Sequence, residues 1–265
     1  MVTLEGYAKI NLCLAVVGRK GEKHLIDSVF CPVPIKDVVT VERADTVSVT
    51  YTDGRTYKND TAFIAARRMS EKYGVGAKIT IGKGIPEGAG LGGSSVDAGT
   101  VVRGIVQLYG LAEPDSDFLV GIGGDVPYFY RGGYARIRGV GGCVEEIDLP
   151  RLYTVVLVPK TGVNTGECYR LYDEIGGDGG DVDAFLKEVK EGKIQPFNAL
   201  QKAGETLCPD VAEGVRILRE AGFACGMTGS GSATFGVETN ERAFKEKLRK
   251  VKQSANHFAL YVEEE

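Results

Sequence analysis

The chain has 265 residues and a net charge of −4 at pH 7, with 43% hydrophobic and 26% charged residues. This length suits one large domain or two modest ones, and the composition is ordinary for a soluble globular protein. The acidic excess argues against a nucleic-acid partner, which normally requires a basic surface. The apolar stretch 12–17 is too short to span a membrane, and basic residues follow it, so we expect no membrane partner and a cytoplasmic location.

The predicted elements mix strands and helices along the whole chain. In the first part we expect strands at 8–17, 38–52 and 77–81, helices at 60–72, 100–109 and 116–119, and a strand pair within 128–144. Pro150 marks a break. Beyond it we expect strands at 153–158, 233–237 and 258–262, a helix at 240–252, and a helix that Asp210 opens at capping-box spacing from Glu213. This order predicts an α+β fold with domains at 1–150 and 151–265.

Cysteine and histidine usage limits the possible chemistry. The six cysteines are scattered without a Cys-x-x-Cys pair, which leaves a zinc or redox site without support and favours buried small side chains. Only two histidines occur, His24 and His257, which nearly excludes a histidine metal centre or a Ser-His-Asp triad.

The segment 84–99, GIPEGAGLGGSSVDAG, is the most informative part of the sequence, and we name its glycine-rich stretch 84–93 the glycine loop. Glycines allow successive backbone N–H groups to point inward, and a helix beginning at the serines adds the positive end of its dipole, so the segment predicts a phosphate cradle. A plain strand-to-helix turn is the alternative. Gly88-x-Gly90-x-x-Gly93 also matches the dinucleotide fingerprint formally, but it lies far into the chain, and no Walker A motif occurs.

Three further clusters can join this loop. Lys9 and Asn11 lie two apart on a predicted apolar strand, where the lysine could otherwise protect an edge strand. Asp125 lies in the turn Gly-Gly-Asp-Val-Pro, which could be an ordinary turn. The segment 227–232, MTGSGS, could contact a phosphate from the other side or form a hairpin turn.

Taken in this order, the clusters resemble the GHMP kinase superfamily over nearly the whole chain. The resemblance rests on Ala-Lys-Ile-Asn-Leu at 8–12, the Gly-Arg-Lys turn at 18–20 with His24 after it, the glycine loop, Gly-Gly-Asp-Val-Pro at 123–127 and Thr-Gly-Ser-Gly at 228–231. It implies a GHMP kinase fold with two parts: an N-terminal α/β domain like domain 2 of a small-subunit ribosomal protein, and a ferredoxin-like C-terminal α+β domain. The active site would lie between them.

The resemblance also implies that ATP, with Mg²⁺, phosphorylates a hydroxyl of a small molecule. Lys9 and Asp125 match the catalytic pair. The expected ATP-binding residues are Pro86, Gly88, Ala89, Gly90, Leu91, Gly92, Gly93, Ser94 and Ser95, with Ser95 also near the metal. The expected substrate-binding residues are Asn11, His24, Thr165, Tyr169, Thr228, Gly229 and Ser230. The motifs are most similar to members that phosphorylate a cytidyl diphosphate sugar-alcohol, and the protein is expected to be a monomer or a homodimer.

The chain departs from the family pattern in ways that concern the substrate. Glu22 and Lys23 precede His24 in a turn one residue shorter than usual, so the family's stacking tyrosine is absent and Tyr169 is the candidate replacement ring. Gly124 replaces an expected alanine, a change small enough to keep the turn. Two alternatives stay open: a GHMP kinase for another small alcohol such as homoserine or mevalonate, and a nucleotide-binding regulator without catalysis.

Overall fold

The computed structural model describes residues 1–177 and 179–262; residues 178 and 263–265, which the predicted C-terminal domain includes, lie outside the described part. The strands are β1 (Val2–Lys20), β2 (Lys23–Ala44), β3 (Ser48–Tyr51), β4 (Gly76–Gly82), β5 (Ala135–Gly139), β6 (Cys143–Glu146), β7 (Tyr153–Val158), β8 (Phe197–Asn198), β9 (Ala224–Met227), β10 (Thr234–Glu238) and β11 (Ala259–Val262). The helices are α1 (Thr61–Tyr73), α2 (Gly93–Tyr109), α3 (Ser116–Val120), α4 (Val126–Arg131), α5 (Thr165–Ile175), α6 (Val182–Lys190), α7 (Gln201–Leu207), α8 (Pro209–Ala221) and α9 (Glu241–Ser254).

The first sheet is built around the long hairpin of β1 and β2. Its strand order is β3-β4-β2-β1-β8, with β5 pairing to β2 and β6 to β5. The hairpin register runs from Val2↔Val41 to Lys20↔Lys23. Residues 8–15 of β1 are buried on both faces, which explains why this part of the strand is nearly continuously apolar.

Helix α2 is the central helix of the first part and is buried on most sides. It packs against α1, β1, β2 and α4. Two glycines permit this close packing: a Cβ on Gly99 would lie 2.8 Å from Phe129 Cβ, and one on Gly104 would lie 2.7 Å from Val41 Cγ2. The approach of α2 to α4 fixes the position of Asp125, which immediately precedes α4.

The second sheet is antiparallel, with the order β11-β7-β10-β9. Helices α8 and α9 pack on it, burying Leu218, Phe244 and Val251 against Val155 and Leu157. Helices packed on an antiparallel sheet are the arrangement expected of a ferredoxin-like α+β unit. The α+β prediction is confirmed.

Several predicted elements differ from the structure. Residues 128–131 belong to helix α4, because Pro127 lies in the first helical turn after Asp125. The predicted strand 38–52 is divided between β2 and β3. Helix α2 already begins at Gly93, within the glycine loop. Asp210 does not cap α8: the helix begins at Pro209 after Cys208, and the cap position makes no side-chain hydrogen bond.

One strand links the two parts of the chain. β8, which follows the predicted boundary at residue 150, pairs in parallel with β1 through Cys13↔Phe197 and Leu14↔Asn198. The first sheet therefore includes a segment from the second half of the chain, and the boundary between 150 and 151 stays a prediction. Along the described residues, no helix combines the length and apolar character needed to cross a membrane.

Candidate active site

A cleft of about 450 Å³ contains nearly all of the residues predicted for the site. Its lining includes every predicted residue except His24 and Thr228: Lys9, Asn11, Pro86, Gly88, Ala89, Gly90, Leu91, Gly92, Gly93, Ser94, Ser95, Asp125, Thr165, Tyr169, Gly229 and Ser230. Five separate segments of the chain supply these residues. The tertiary fold thus brings the sequence clusters to one cavity.

Strand β1 supplies Lys9 and Asn11 from one face. Both side chains are buried, with 4% and 2% of their surface exposed. Lys9 Nζ donates to Asn11 Oδ1 and to the carbonyl oxygen of Gly90, each at 2.7 Å. Lys9 is therefore not an edge-strand residue but a buried ammonium that joins β1 to the glycine loop.

Asn11 is held in place by its own network. Its Nδ2 donates to Ser28 Oγ at 2.8 Å, and its backbone N–H donates to Thr228 Oγ1 at 3.0 Å. Thr228 Oγ1 in turn donates to Asn11 Oδ1 at 3.2 Å. Because these contacts come from two other segments, Asn11 has a defined orientation at the cleft wall.

Asp125 lies directly before helix α4 but does not cap it with its side chain. A carboxylate at this position normally accepts hydrogen bonds from the first backbone N–H groups of the helix. Here the backbone conformation of Asp125 is already helical (φ −86°, ψ −7°), which leaves the carboxylate available to the cleft.

Lys9 and Asp125 influence each other's ionisation. Burial lowers the pKa of Lys9 to about 8, and the charge of Asp125 opposes that shift. Burial raises the pKa of Asp125, and the charge of Lys9 opposes it. The two groups act through the electric field, since the hydrogen bonds of the Lys9 ammonium go to Asn11 and Gly90. Each favours the charged form of the other in a poorly solvated place.

The glycine loop leads into the N-terminus of α2 and is fixed by its glycines. Gly90 and Gly92 have φ of +73° and +89°. A Cβ on Gly90 would lie 2.3 Å from the carbonyl oxygen of Thr228, and one on Gly92 would lie 2.3 Å from Phe129 Cζ. The loop therefore depends on glycine both for its backbone conformation and for its packing against the rest of the protein.

The turn 228–231 packs against the loop from the second half of the chain. The backbone N–H groups of Ser232 and Ala233 donate to the carbonyl oxygens of Gly88 and Ala89 at 3.3 and 3.1 Å. Asn198 Nδ2 holds the turn by donating to the carbonyl oxygens of Met227 and Gly229, each at 2.8 Å. Gly229 and Ser230 line the cleft, whereas Thr228 is fully buried behind them.

Helix α5 forms the wall beyond Asp125. Thr165 Oγ1 is 2.9 Å from Ser230 Oγ. Tyr169 lines the cleft. Burial is the main cause that raises the pKa of Tyr169, and the nearby charge of Asp125 raises it further. His24 is stacked on Tyr169, with ring centroids 4.5 Å apart and an angle of 24°. His24 thus contacts a cleft residue without lining the cleft itself.

The other end of the cleft contains residues that the sequence analysis did not single out. They are Tyr51, Tyr57, Asn59, Asp60, Thr61, Ala62, Lys83 and Asp97. Asp60 could have been found as the cap of α1, because its carboxylate accepts from the N–H groups of Ala62 and Phe63. Asp97 lies within the segment 84–99 without a role assigned from the sequence, and the remaining residues follow no motif.

Lys83 and Asp97 belong to a buried ionic cluster beside the glycine loop. Lys83 Nζ is 2.6 Å from Asp97 Oδ2 and also bonds to Asp37. Asp37 Oδ1 accepts from the N–H groups of Gly84 and Ile85 at 2.7 and 2.9 Å. Asp97 Oδ1 has no hydrogen-bond partner, and burial raises the pKa of Asp97 to about 8.

The cleft has the groups that phosphoryl transfer to an alcohol requires. A 17-residue helix presents its N-terminus there behind an αL glycine, with no side-chain cap on its free N–H groups, which is suited to phosphate oxygens. A buried ammonium and an uncapped carboxylate lie in the same cavity. The fold and the site define an ATP-dependent small-molecule kinase.

Comparison with known families leads to the same class. The model of the GHMP kinases N terminal domain matches residues 60–133, and that of the GHMP kinases C terminal domain matches residues 178–257. The chain belongs to the GHMP kinase family, and the predicted resemblance is confirmed.

Individual relatives cover most of the chain. A 4-diphosphocytidyl-2-C-methyl-D-erythritol kinase from Caldicellulosiruptor saccharolyticus is 32% identical, the match covering 90% of this chain and 88% of that protein. A kinase of the same name from Chromobacterium violaceum is 35% identical, and the match covers 86% of this chain and 83% of that protein. A crystal structure of 4-(cytidine 5'-diphospho)-2C-methyl-D-erythritol kinase matches with a TM-score of 0.81 at 30% identity, covering 98% of both chains. A homoserine kinase from Cytophaga hutchinsonii, at 19% identity and a TM-score of 0.70, shares the fold.

Proposed function

We propose that this protein transfers the γ-phosphoryl group of ATP to a hydroxyl of 4-diphosphocytidyl-2-C-methyl-D-erythritol. The observation that supports this most strongly is that relatives with this named activity match most of the chain at 32% and 35% identity. The cleft also contains Lys9, Asn11 and Asp125 together, as such a reaction needs.

In this proposal Asp125 accepts the proton of the substrate hydroxyl. Burial raises its pKa toward the range of a useful general base, while the Lys9 charge keeps it ionised. Lys9 neutralises the negative charge that develops during transfer, and its fixed contacts with Asn11 and Gly90 mean that little reorganisation is needed. Asn11 orients the acceptor hydroxyl.

The glycine loop and the N-terminus of α2 hold the phosphates of ATP. The free N–H groups of the first helical turn are the donors, and Pro86 to Ser95 form the surrounding wall. Mg²⁺ in the site would neutralise phosphate charge. Ser95 is the residue proposed to lie beside the Mg²⁺ ion. Few protein ligands are needed there, because Mg²⁺ usually keeps several water molecules and binds phosphate oxygens of the substrate.

The acceptor molecule occupies the end of the cleft near α5. Thr165, Tyr169, Gly229 and Ser230 line that end, and Tyr169 offers an aromatic surface for the cytosine. We place the reaction in the cytoplasm, where ATP is supplied. A monomer or a homodimer remains the expectation for the assembly.

The proposal is tested with a panel of acceptors. Purified protein is incubated with ATP, Mg²⁺ and either 4-diphosphocytidyl-2-C-methyl-D-erythritol, homoserine or mevalonate, and ADP release is measured. We expect turnover with the cytidyl substrate and the appearance of a new phosphomonoester signal by ³¹P NMR. Turnover with homoserine or mevalonate but not with the cytidyl compound would overturn the proposed substrate, and absence of any turnover would favour a non-catalytic nucleotide-binding protein.

A further inference from the structure

The tip of the β1–β2 hairpin and helix α5 are joined through one carboxylate, that of Asp173. Arg19 Nη2 donates to Asp173 Oδ2 at 2.8 Å, and His24 Nε2 lies 2.7 Å from Asp173 Oδ1. Each carboxylate oxygen thus has its own partner. The hydrogen bond with His24 is the main cause that lowers the pKa of Asp173, and the charge of Arg19 adds to it.

The short turn of the hairpin makes this arrangement possible. Only Gly21 and Glu22 connect the two strands, and Gly21 takes a φ of +61°. A two-residue turn fixes the register, so that Arg19 and His24 are directly opposite each other and project from the same face of the sheet. Both side chains can therefore reach a single carboxylate.

The residues of helix α5 that connect the hairpin to the cleft lie on one face of the helix. Thr165, Tyr169 and Asp173 are spaced four residues apart and so share a face of the helix. Thr165 contacts Ser230, Tyr169 lines the cleft, and Asp173 holds the hairpin. The position of Tyr169 is thus controlled from both sides along the helix.

His24 completes the connection to the cleft. Its ring stacks on Tyr169 and meets Tyr172 edge-on with centroids 6.2 Å apart. Only 9% of the His24 side chain is exposed, compared with 53% for Arg19. Because exposed ion pairs contribute little, the His24 bond is the half of the contact that can hold the ring in place.

We propose that Asp173 is a positioning residue of the acceptor site: it fixes the His24 imidazole against Tyr169 and thereby sets the aromatic wall on which the cytosine of the substrate stacks. This inference rests on the proposed function. It takes the stacking of His24 on Tyr169 as the link between Asp173 and the cleft, since His24 does not itself line the cleft.

The test is a comparison of steady-state kinetics for the wild type and single variants. Asp173→Ala removes both contacts and should raise the KM for the cytidyl substrate about tenfold, the effect of one lost charge-assisted hydrogen bond. Neither kcat nor the KM for ATP should change much, because Lys9 and Asp125 are untouched. Asp173→Asn keeps an acceptor oxygen for His24 and should recover part of the loss.

Two controls separate positioning from a general effect of charge. Glu174→Gln removes the neighbouring carboxylate, which pairs with Arg170 on the same helix, and should leave the KM unchanged. Arg19→Gln removes only the exposed half of the contact and should have a small effect. Circular dichroism and thermal unfolding of each variant verify that it is folded.

Nitrogen-15 NMR of the histidines provides a measurement that needs no substrate. The chain has only two histidines, and His257→Gln assigns the signals. The His24 nitrogen shifts should show a fixed Nε2–H form in the wild type and a mixture of tautomers in Asp173→Ala.

The outcomes distinguish this inference from the proposed function. If the wild type does not phosphorylate the cytidyl substrate, the proposed function fails. In that case, the Kd for cytidine 5′-diphosphate, measured by calorimetry for the wild type and Asp173→Ala, replaces the KM as the quantity that tests the positioning role. If the wild type is active and Asp173→Ala keeps the wild-type KM, the positioning role is wrong. It is equally wrong if Glu174→Gln raises the KM as much as Asp173→Ala does.

Discussion

The ammonium of Lys9 and the amide oxygen of Asn11 are 2.7 Å apart, on residues that are two positions apart along the same strand. The same ammonium bonds to the carbonyl oxygen of Gly90. Lys9 therefore keeps its orientation without a direct hydrogen bond to Asp125. In consequence the Asp125 carboxylate can accept a proton while the nearby positive charge stays in place.

Asp125→Asn should lower kcat at least about tenfold, because the amide cannot act as a general base. The KM for ATP should be nearly unchanged, since the glycine loop and the N-terminus of α2, which are proposed to hold the phosphates, do not depend on this carboxylate. Steady-state kinetics with the cytidyl substrate provide the measurement. The exposed Asp117→Asn on α3 is the control; equal activity of the two variants would contradict the role proposed for Asp125.

The activity should fall as the pH rises through about 8, the pKa of the Lys9 ammonium in the folded protein. The ordinary pKa of a lysine is 10.5. Between about pH 8 and pH 10.5, Lys9 is therefore deprotonated in the folded state but still protonated in the unfolded state. The Lys9 contribution to stability therefore improves with rising pH in that window, while activity declines. The pH profile of kcat/KM reports the free enzyme. A profile that stays flat to about pH 9.5 would contradict this assignment.

A second pH effect is expected at Asp97. Burial raises the pKa of Asp97 to about 8 from an ordinary 3.8; Lys83 opposes this shift and Asp37 adds to it. Between pH 3.8 and about pH 8, Asp97 is protonated in the folded state but ionised in the unfolded state. The contribution of Asp97 to the free energy of unfolding therefore falls as the pH rises through this range. Asp97→Asn should accordingly gain stability relative to the wild type on going from about pH 5 to about pH 8.

Urea unfolding at both pH values, with Asp117→Asn as an exposed control, measures the Asp97 effect. The denaturant midpoints of the wild type and Asp97→Asn should diverge between the two pH values, while those of the control should move together with the wild type. A difference that is the same at both pH values would mean that Asp97 is ionised throughout.

Gly124→Ala should disturb the turn that presents Asp125. A Cβ at position 124 would lie 2.6 Å from the carbonyl oxygen of Val140, and Gly124 is itself packed against Gly141. The resemblance leads to an expectation of alanine here, but this chain can accept it only if residues 140 and 141 move. We expect a lower unfolding temperature and a reduced kcat. Gly179→Ala is the matched control, because its Cβ would meet nothing within 4 Å; a fully active, equally stable Gly124→Ala would refute the packing argument.

The motifs around the site were predictable because each depends on local chemistry. A glycine-rich stretch ahead of a helix, a lysine on an apolar strand and an aspartate in a glycine turn are all patterns of neighbouring residues, although α2 begins at Gly93 and not at the predicted residue 100. The Tyr128 segment was not predictable in the same way. The aromatic residues at 128–130 favour a strand, but Pro127 lies in the first turn of helix α4, directly after Asp125. The helix is further stabilised because it packs closely on Gly99 of α2.

The sequence by itself determined the class of fold and the kind of chemistry, since the glycine loop, the lysine on an apolar strand and the aspartate turn are patterns of short segments. Only the tertiary structure decided which side chains face the cleft. Thr228 donates its hydroxyl to Asn11, His24 stacks on Tyr169 without lining the cleft, and Lys83 joins Asp37 to Asp97. These contacts link residues far apart in the chain, and their geometry depends on how the two sheets and their helices pack. Local patterns carry no record of that packing.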